Sequence, residues 1–180
     1  MLTERELLIY RSNLQESTSA YKAFSKSTAE ASVFLSHSHK DKELVEGFIN
    51  YLAYWGKIRI YVDWQDSDMP SITNHETATK IKKKIAELDY FLILATENAL
   101  RSKWVPWEIG IADVMKPDKI AIAPVADSNG RFNGNEYLQL YPRVELGSLQ
   151  SGDNMLAVFQ PNQNNNGVSI RYWLSNSIWK

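Results

Sequence analysis

The sequence predicts an α/β fold: an open, parallel, five-stranded sheet with helices on both faces and an added N-terminal helix. Apolar runs at 31–36, 90–95 and 119–125 are continuous rather than alternating, as strands covered on both faces are. The segments between them carry apolar residues at helical spacing. Strand and helix alternating this regularly bring each strand back in the same direction, which builds a parallel sheet with its crossovers packed on both sides.

From Thr3 to about Ser27, Leu7, Tyr10, Leu14, Tyr21 and Phe24 fall close to helical spacing and predict an amphipathic helix, so residues 1–29 are expected to be a helical extension and 30–180 the main domain. Ala31 to Ser36 reads as the first strand. After His37-Ser38-His39-Lys40, Asp41 is expected to cap a helix whose stripe is Leu44, Val45, Phe48, Ile49 and Leu52, ended by Gly56. Ile58 to Val62 is the second strand, and an Asp-rich loop with Met69-Pro70 leads to a helix carrying Ile81, Ile85 and Leu88. Tyr90 to Ala95 is the third strand and Lys119 to Val125 the fourth, with a helix through Trp104 and Glu108 between them. Further on, Tyr141 to Val144 is expected as the fifth strand, Gln160 to Gly167 as a loop, and Ile170 to Trp179 as a closing helix.

Composition narrows the function. A chain of 180 residues suits one domain with a substantial core. Its 20 Lys and Arg against 21 Asp and Glu leave a net charge of -1, without the basic footprint of a nucleic-acid binder. With no cysteine there is no disulfide frame, thiolate nucleophile or cysteine zinc site. No leader-like or membrane-spanning run is visible, and a reducing cytoplasm is the expected location.

In flavodoxin-like open sheets, ligands bind beyond the carboxyl ends of the strands where the winding changes direction. That rule selects Ser36 to Asp41, Asp63 to Thr73 and Thr96 to Glu108. No Gly-x-Gly-x-x-Gly or Gly-x-x-x-x-Gly-Lys-Ser/Thr is present, which removes dinucleotide-cofactor and triphosphate loops. A phospho-receiver would place an aspartate where Ala95-Thr96 stands. His37 and His39 with Asp41 raise a metal site, but alternate residues leaving a strand tend to diverge, and no metal is expected. Glu108 stands out. Four residues after Trp104 and in a row with Ile111 and Met115, it puts a carboxyl where burial is expected. Ser102 as N-cap and Pro106 in the first turn place it near a helix N-terminus, whose dipole favours the ionised form while apolar neighbours oppose it. Position alone leaves a catalytic and a structural carboxylate both open. Trp104 and Trp107 read first as packing residues, whereas Trp64 at the mouth suits either stacking on a planar ring or anchoring a loop.

Three motifs in order resemble the Toll/interleukin-1 receptor (TIR) domain family, particularly its bacterial members. They are Val33-Phe34-Leu35-Ser36-His37-Ser38-His39-Lys40-Asp41, Tyr61-Val62-Asp63-Trp64-Gln65-Asp66 with Met69-Pro70, and Ser102-Lys103-Trp104 with Glu108. The similarity is strong over about residues 31–125. It implies an enzyme that cleaves NAD+ at the nicotinamide–ribose bond, with Glu108 catalytic, Ser36, His37, Trp64 and Trp104 as substrate contacts, and NAD+ as substrate rather than cofactor. The small domain also resembles the TIR component of Thoeris-type anti-phage systems. That implies an ADP-ribose-derived signal, linear, cyclic or conjugated, acting on a separate effector, and self-association through TIR–TIR contacts. A noncatalytic adaptor working by self-association is the alternative, and a nucleoside 2-deoxyribosyltransferase-like enzyme a third.

Overall fold

The computed structural model describes residues 1–13, 31–55, 58–69, 74–134, 136–148, 153–163 and 165–175. β1 (Leu2–Thr3) runs directly into α1 (Glu4–Asn13). A reciprocal cap joins them: the Thr3 hydroxyl accepts from the Glu6 amide at 3.2 Å, and the Glu6 carboxylate accepts from the Thr3 amide at 2.8 Å. β2 (Ala31–Ser36) is buried throughout and leads to a single 3-10 turn, His39–Asp41, and then α2 (Lys42–Trp55). β3 (Ile58–Tyr61) is a half-buried edge strand, and α3 (His75–Glu87) opens on a capping box between Asn74 and Thr77. β4 (Tyr90–Ala95) is again fully buried; α4 (Glu97–Leu100), capped by Thr96, and α5 (Val105–Met115) follow. β5 (Ile120–Ala126), β6 (Arg143–Ser148), β7 (Asn154–Phe159), β8 (Gly167–Ser169) and α6 (Ile170–Ser175) complete the described chain.

The strands form one sheet in the order β3-β2-β4-β5-β6-β7-β8, with β1 added on β5. Pairing is parallel from β3 to β6 and antiparallel from β6 to β8. From β2 the chain first winds outward to β3, then returns to the other side for β4 and β5. The carboxyl ends of β2 and β4 therefore flank the point where winding reverses.

Alternation along β4 shows how the two faces are filled. Tyr90, Leu92 and Leu94 join α1, α2 and α6 in one core, while Phe91, Ile93 and Ala95 join α3, α4 and α5 in the other. Phe34 of β2 stacks on Phe91 with ring centroids 5.4 Å apart. Phe34 and Ser36 alternate onto the α5 side, which aims the serine hydroxyl at the start of that helix.

Several expectations change. Among the described residues the sheet has eight strands rather than five, because β1, β7 and β8 join it, and the strand expected at 141–144 instead runs from Arg143 to Ser148. The second strand stops at Tyr61, and the fourth spans Ile120 to Ala126. The expected loop from Gln160 ends in β8. Asp41 lies in the 3-10 turn, which Ser38 caps, rather than capping α2 itself. The expected helix from Thr3 to Ser27 is observed as α1, with Thr3 in β1; its remainder, Gly56 and the end of the closing helix lie outside the described residues. No described helix is long and apolar enough to cross a membrane.

Gly47 of α2 lies so close to α1 that an added Cβ would collide with the Leu7 carbonyl, whereas at Gly110 of α5 it would meet open space. Gly47→Ala should therefore destabilise the fold by about 1–3 kcal/mol through overpacking, and Gly110→Ala should stabilise it by about 1 kcal/mol through helix propensity. Urea unfolding of both variants checks the pair; equal midpoints would refute the close α1–α2 approach.

Candidate active site

Glu108 sits in the first turn of α5, its amide donating to the Trp104 carbonyl at 2.9 Å. Trp104 is the N-cap rather than Ser102, but the Ser102 hydroxyl still accepts from the Trp104 and Val105 amides at 3.1 and 3.4 Å. The buried stripe of the helix is Val105, Glu108, Ile109 and Ala112. The expected row through Ile111 and Met115 is rotated away from the sheet: Ile111 is half-buried and Met115 exposed.

The Glu108 carboxyl reaches the end of β2, where Ser36 Oγ donates to Oε2 at 2.6 Å. Only 6% of the residue is exposed. Burial pushes its pKa up to about 8; the Ser36 hydrogen bond opposes this, the Asp63 charge adds to it, and His39 opposes it weakly. Desolvation is the largest of these influences, so without a ligand the protonated form is favoured at neutral pH.

Beside it, His37 Nδ1 lies 2.8 Å from the Leu35 carbonyl and donates to it. Nε2 is then a bare lone pair, buried, without a hydrogen-bond partner, 3.5 Å from Asp63 Oδ1. Burial lowers the His37 pKa despite the nearby carboxylate. His39 makes the closer contact, Nε2 to Asp63 Oδ2 at 2.7 Å, and that hydrogen bond raises its pKa. For Asp63 burial acts upward, but the bond to His39 and the Trp64 amide help hold it below the usual carboxylate range.

A second cluster fixes the rim. The Asp41 carboxylate accepts from the Thr96 hydroxyl and, at 2.6 Å, from the Asn98 amide. Thr96 Oγ1 also caps α4 by accepting from the Ala99 amide at 3.0 Å. The turn after β2 is thereby tied to the turn after β4, across the reversal point.

Together these segments enclose a cavity of about 320 Å³ whose lining includes His37, His39, Asp63, Arg101, Trp104 and Glu108. Its size is at the lower end of small-molecule sites. Of the sequence-predicted residues, His37, Trp104 and Glu108 line it and Ser36 supports it from behind through Glu108. Trp64 is half-buried and meets the His37 ring edge-on at 4.6 Å, outside the lining. The histidines do not diverge: their rings lie 5.8 Å apart and both face Asp63, while Asp41 turns to Thr96. Sequence reasoning selected Asp63 to Thr73 and Thr96 to Glu108 as ligand-binding segments but did not single out Asp63, Thr96, Asn98 or Arg101 within them. Asp63 and Thr96 follow strand ends closely, the one available signal.

Residues 33–153 match the sequence profile of the TIR domain family. The chain is 37% identical over 134 residues to a probable 3' cyclic ADP-D-ribose synthase, ThsB', of Bacillus cereus, a match covering 72% of this chain and 68% of that protein. It is 34% identical over 80 residues to a putative cyclic ADP-D-ribose synthase of Cytobacillus dafuensis, covering 43% of this chain and 21% of the relative. A probable 2' cyclic ADP-D-ribose synthase of Methanobrevibacter olleyae is likewise 34% identical over 80 residues, covering 44% of this chain and 22% of its own.

The raised Glu108 pKa has a stability consequence. Between the ordinary value of 4.5 and about 8 the folded chain holds this proton and the unfolded chain does not. The contribution is full below the lower value and is lost as pH rises through the window. Urea midpoints should fall more steeply with pH in the wild type than in Glu108→Gln; identical pH dependences would refute the desolvated carboxyl.

Proposed function

The chain belongs to the TIR domain family, and on that premise we propose that it cleaves the nicotinamide–ribose bond of NAD+ and turns the ADP-ribosyl group into a signal in bacterial anti-phage defence. Glu108 is the catalytic carboxylate in this reading. The observation that carries it is the position of that group: buried, bonded to Ser36 at 2.6 Å, and lining the cavity at the reversal point. The relatives named as cyclic ADP-D-ribose synthases support the same chemistry.

One acid suffices for this bond. As the ribosyl C1'–N1 bond breaks, its electron pair stays on N1, and nicotinamide leaves neutral without a proton from the enzyme. Positive charge develops on the ribosyl ring, as in other glycosidic cleavages. A pyridinium entering the cavity favours the ionised form of Glu108 and displaces its proton. The buried carboxylate then faces the growing charge, where electrostatic stabilisation is strong. Capture by a hydroxyl of the same molecule closes a ring, and capture by water gives ADP-ribose; in both cases the attacking O–H loses its proton, which the carboxylate can accept. The relatives' names favour ring closure.

Ser36 orients the carboxylate, the Trp104 indole offers a planar surface to the nicotinamide, and His37, its ring edge against Trp64, borders the substrate. The chain works in the cytoplasm, self-associates through TIR–TIR contacts, and reaches a separate effector through its product.

Nicotinamide release from NAD+, measured with purified protein and with lysate of phage-infected cells as trigger, tests this directly. Glu108→Gln should lower turnover by at least about a hundredfold. Equal turnover of variant and wild type would sink the assignment. With the ionised carboxylate required, kcat/KM of the wild type should rise with pH and level off above about 8, the free-enzyme value of Glu108.

A further inference from the structure

The proposed reaction leaves the grouping of His37, His39 and Asp63 unexplained. Among the described residues these three bring potential ligand atoms within 4.8 Å of one another. His37 has the form that a metal requires. Its Nδ1 hydrogen is engaged by the Leu35 carbonyl at 2.8 Å, and Nε2 turns a free lone pair toward Asp63 Oδ1 at 3.5 Å. That nitrogen is buried without a hydrogen-bond partner. Two acceptors facing each other away from water are unfavourable unless positive charge lies between them. An imidazole oriented by a backbone carbonyl through its other nitrogen is also how metal-bound histidines are commonly held. Asp63 is fixed from its own side by the Trp64 amide at 2.8 Å.

We propose that His37 Nε2, His39 Nε2 and the Asp63 carboxylate bind a zinc ion at the wall of the cavity, with the fourth coordination position open to the hollow. Two imidazoles and a carboxylate suit zinc, whereas magnesium and calcium take oxygen ligands. Only His39 has to exchange its hydrogen bond to Asp63 for coordination, and its side chain, 72% exposed, is free to do so. Three protein ligands with a vacant position form a site that takes water or a ligand oxygen, rather than a closed structural one. The proposal does not rest on NAD+ cleavage.

The test is zinc binding by the full chain after chelator treatment. Titration with zinc sulfate should show one ion bound per chain, and cobalt(II) in its place should give the intense visible bands of four-coordinate geometry. His39→Ala and Asp63→Asn should each weaken zinc binding by more than about a hundredfold, beyond what outer partners contribute. His75→Ala, which alters the remaining histidine, should leave it unchanged. His39 is exposed, so its replacement is expected to fold, and circular dichroism verifies this. Absence of saturable zinc binding, retention of wild-type affinity by folded His39→Ala, or preference for magnesium or calcium over zinc would each overturn the proposal. Because the readout is metal binding, failure here leaves the Glu108 assignment standing, and loss of NAD+ cleavage leaves this one standing.

Discussion

Keeping the Glu108 carboxyl out of water is the constraint around which the site is organised. An acid buried to this degree is costly unless it is hydrogen-bonded or neutral, and here both conditions hold: Ser36 donates at 2.6 Å and the proton is retained up to about pH 8. The arrangement needs β2 and β4 adjacent and parallel, because only then does the end of β2 point its serine at the first turn of the helix that follows β4. It also needs a rigid rim, supplied by Asp41 bridging to Thr96 and Asn98. An acid held neutral by its surroundings responds strongly to a cation, and nicotinamide-ribosyl compounds carry one where an ordinary sugar does not.

The same rim contains an opposite kind of tension. His37 and Asp63 place two electron-rich atoms in close opposition, each held by a backbone contact of its own. Glu108 resolves its burial by keeping a proton, whereas His37, with its pKa lowered by burial, does not. One cavity wall therefore carries a masked negative charge and, beside it, an imidazole nitrogen without a hydrogen-bond partner, and both are features that a bound group would relieve.

How much of this was legible follows from burial. β2, β4 and β5 could be read from composition because covering on both faces makes each run continuously apolar. β6 could be read only in its first residues and β7 and β8 not at all: exposed Leu146, the polar ends at Ser148 and Asn154, and Gly147 and Gly167 packed under Phe159 blur the alternation. β1 has two residues and no period at all. On α5 the apolar row drawn through Trp104 was displaced by one residue, because Val105 and Ile109, not Ile111 and Met115, face the sheet. Glu108, Ser36 and His37 were found by position after strands and by family resemblance. The meeting of both histidines with Asp63 was not, since it depends on β2 pairing with β3 in the register Phe34 to Tyr61, which brings the residues just beyond each strand level. Register is a property of the assembled sheet.

The docking of β1 has a temporal side. Leu2 lies beside Val125 and Thr3 beside Ala126, so a segment at one end of the chain completes a strand most of the domain away. Loop closure over that span is entropically expensive, and such contacts form late. During translation Leu2 and Leu7, both fully enclosed in the finished protein, leave the ribosome long before β5 has been made. Until then Leu2 lacks its strand partner, whereas Leu7 can already be covered by α2, so the docking of α1 on α2 precedes the completion of the sheet.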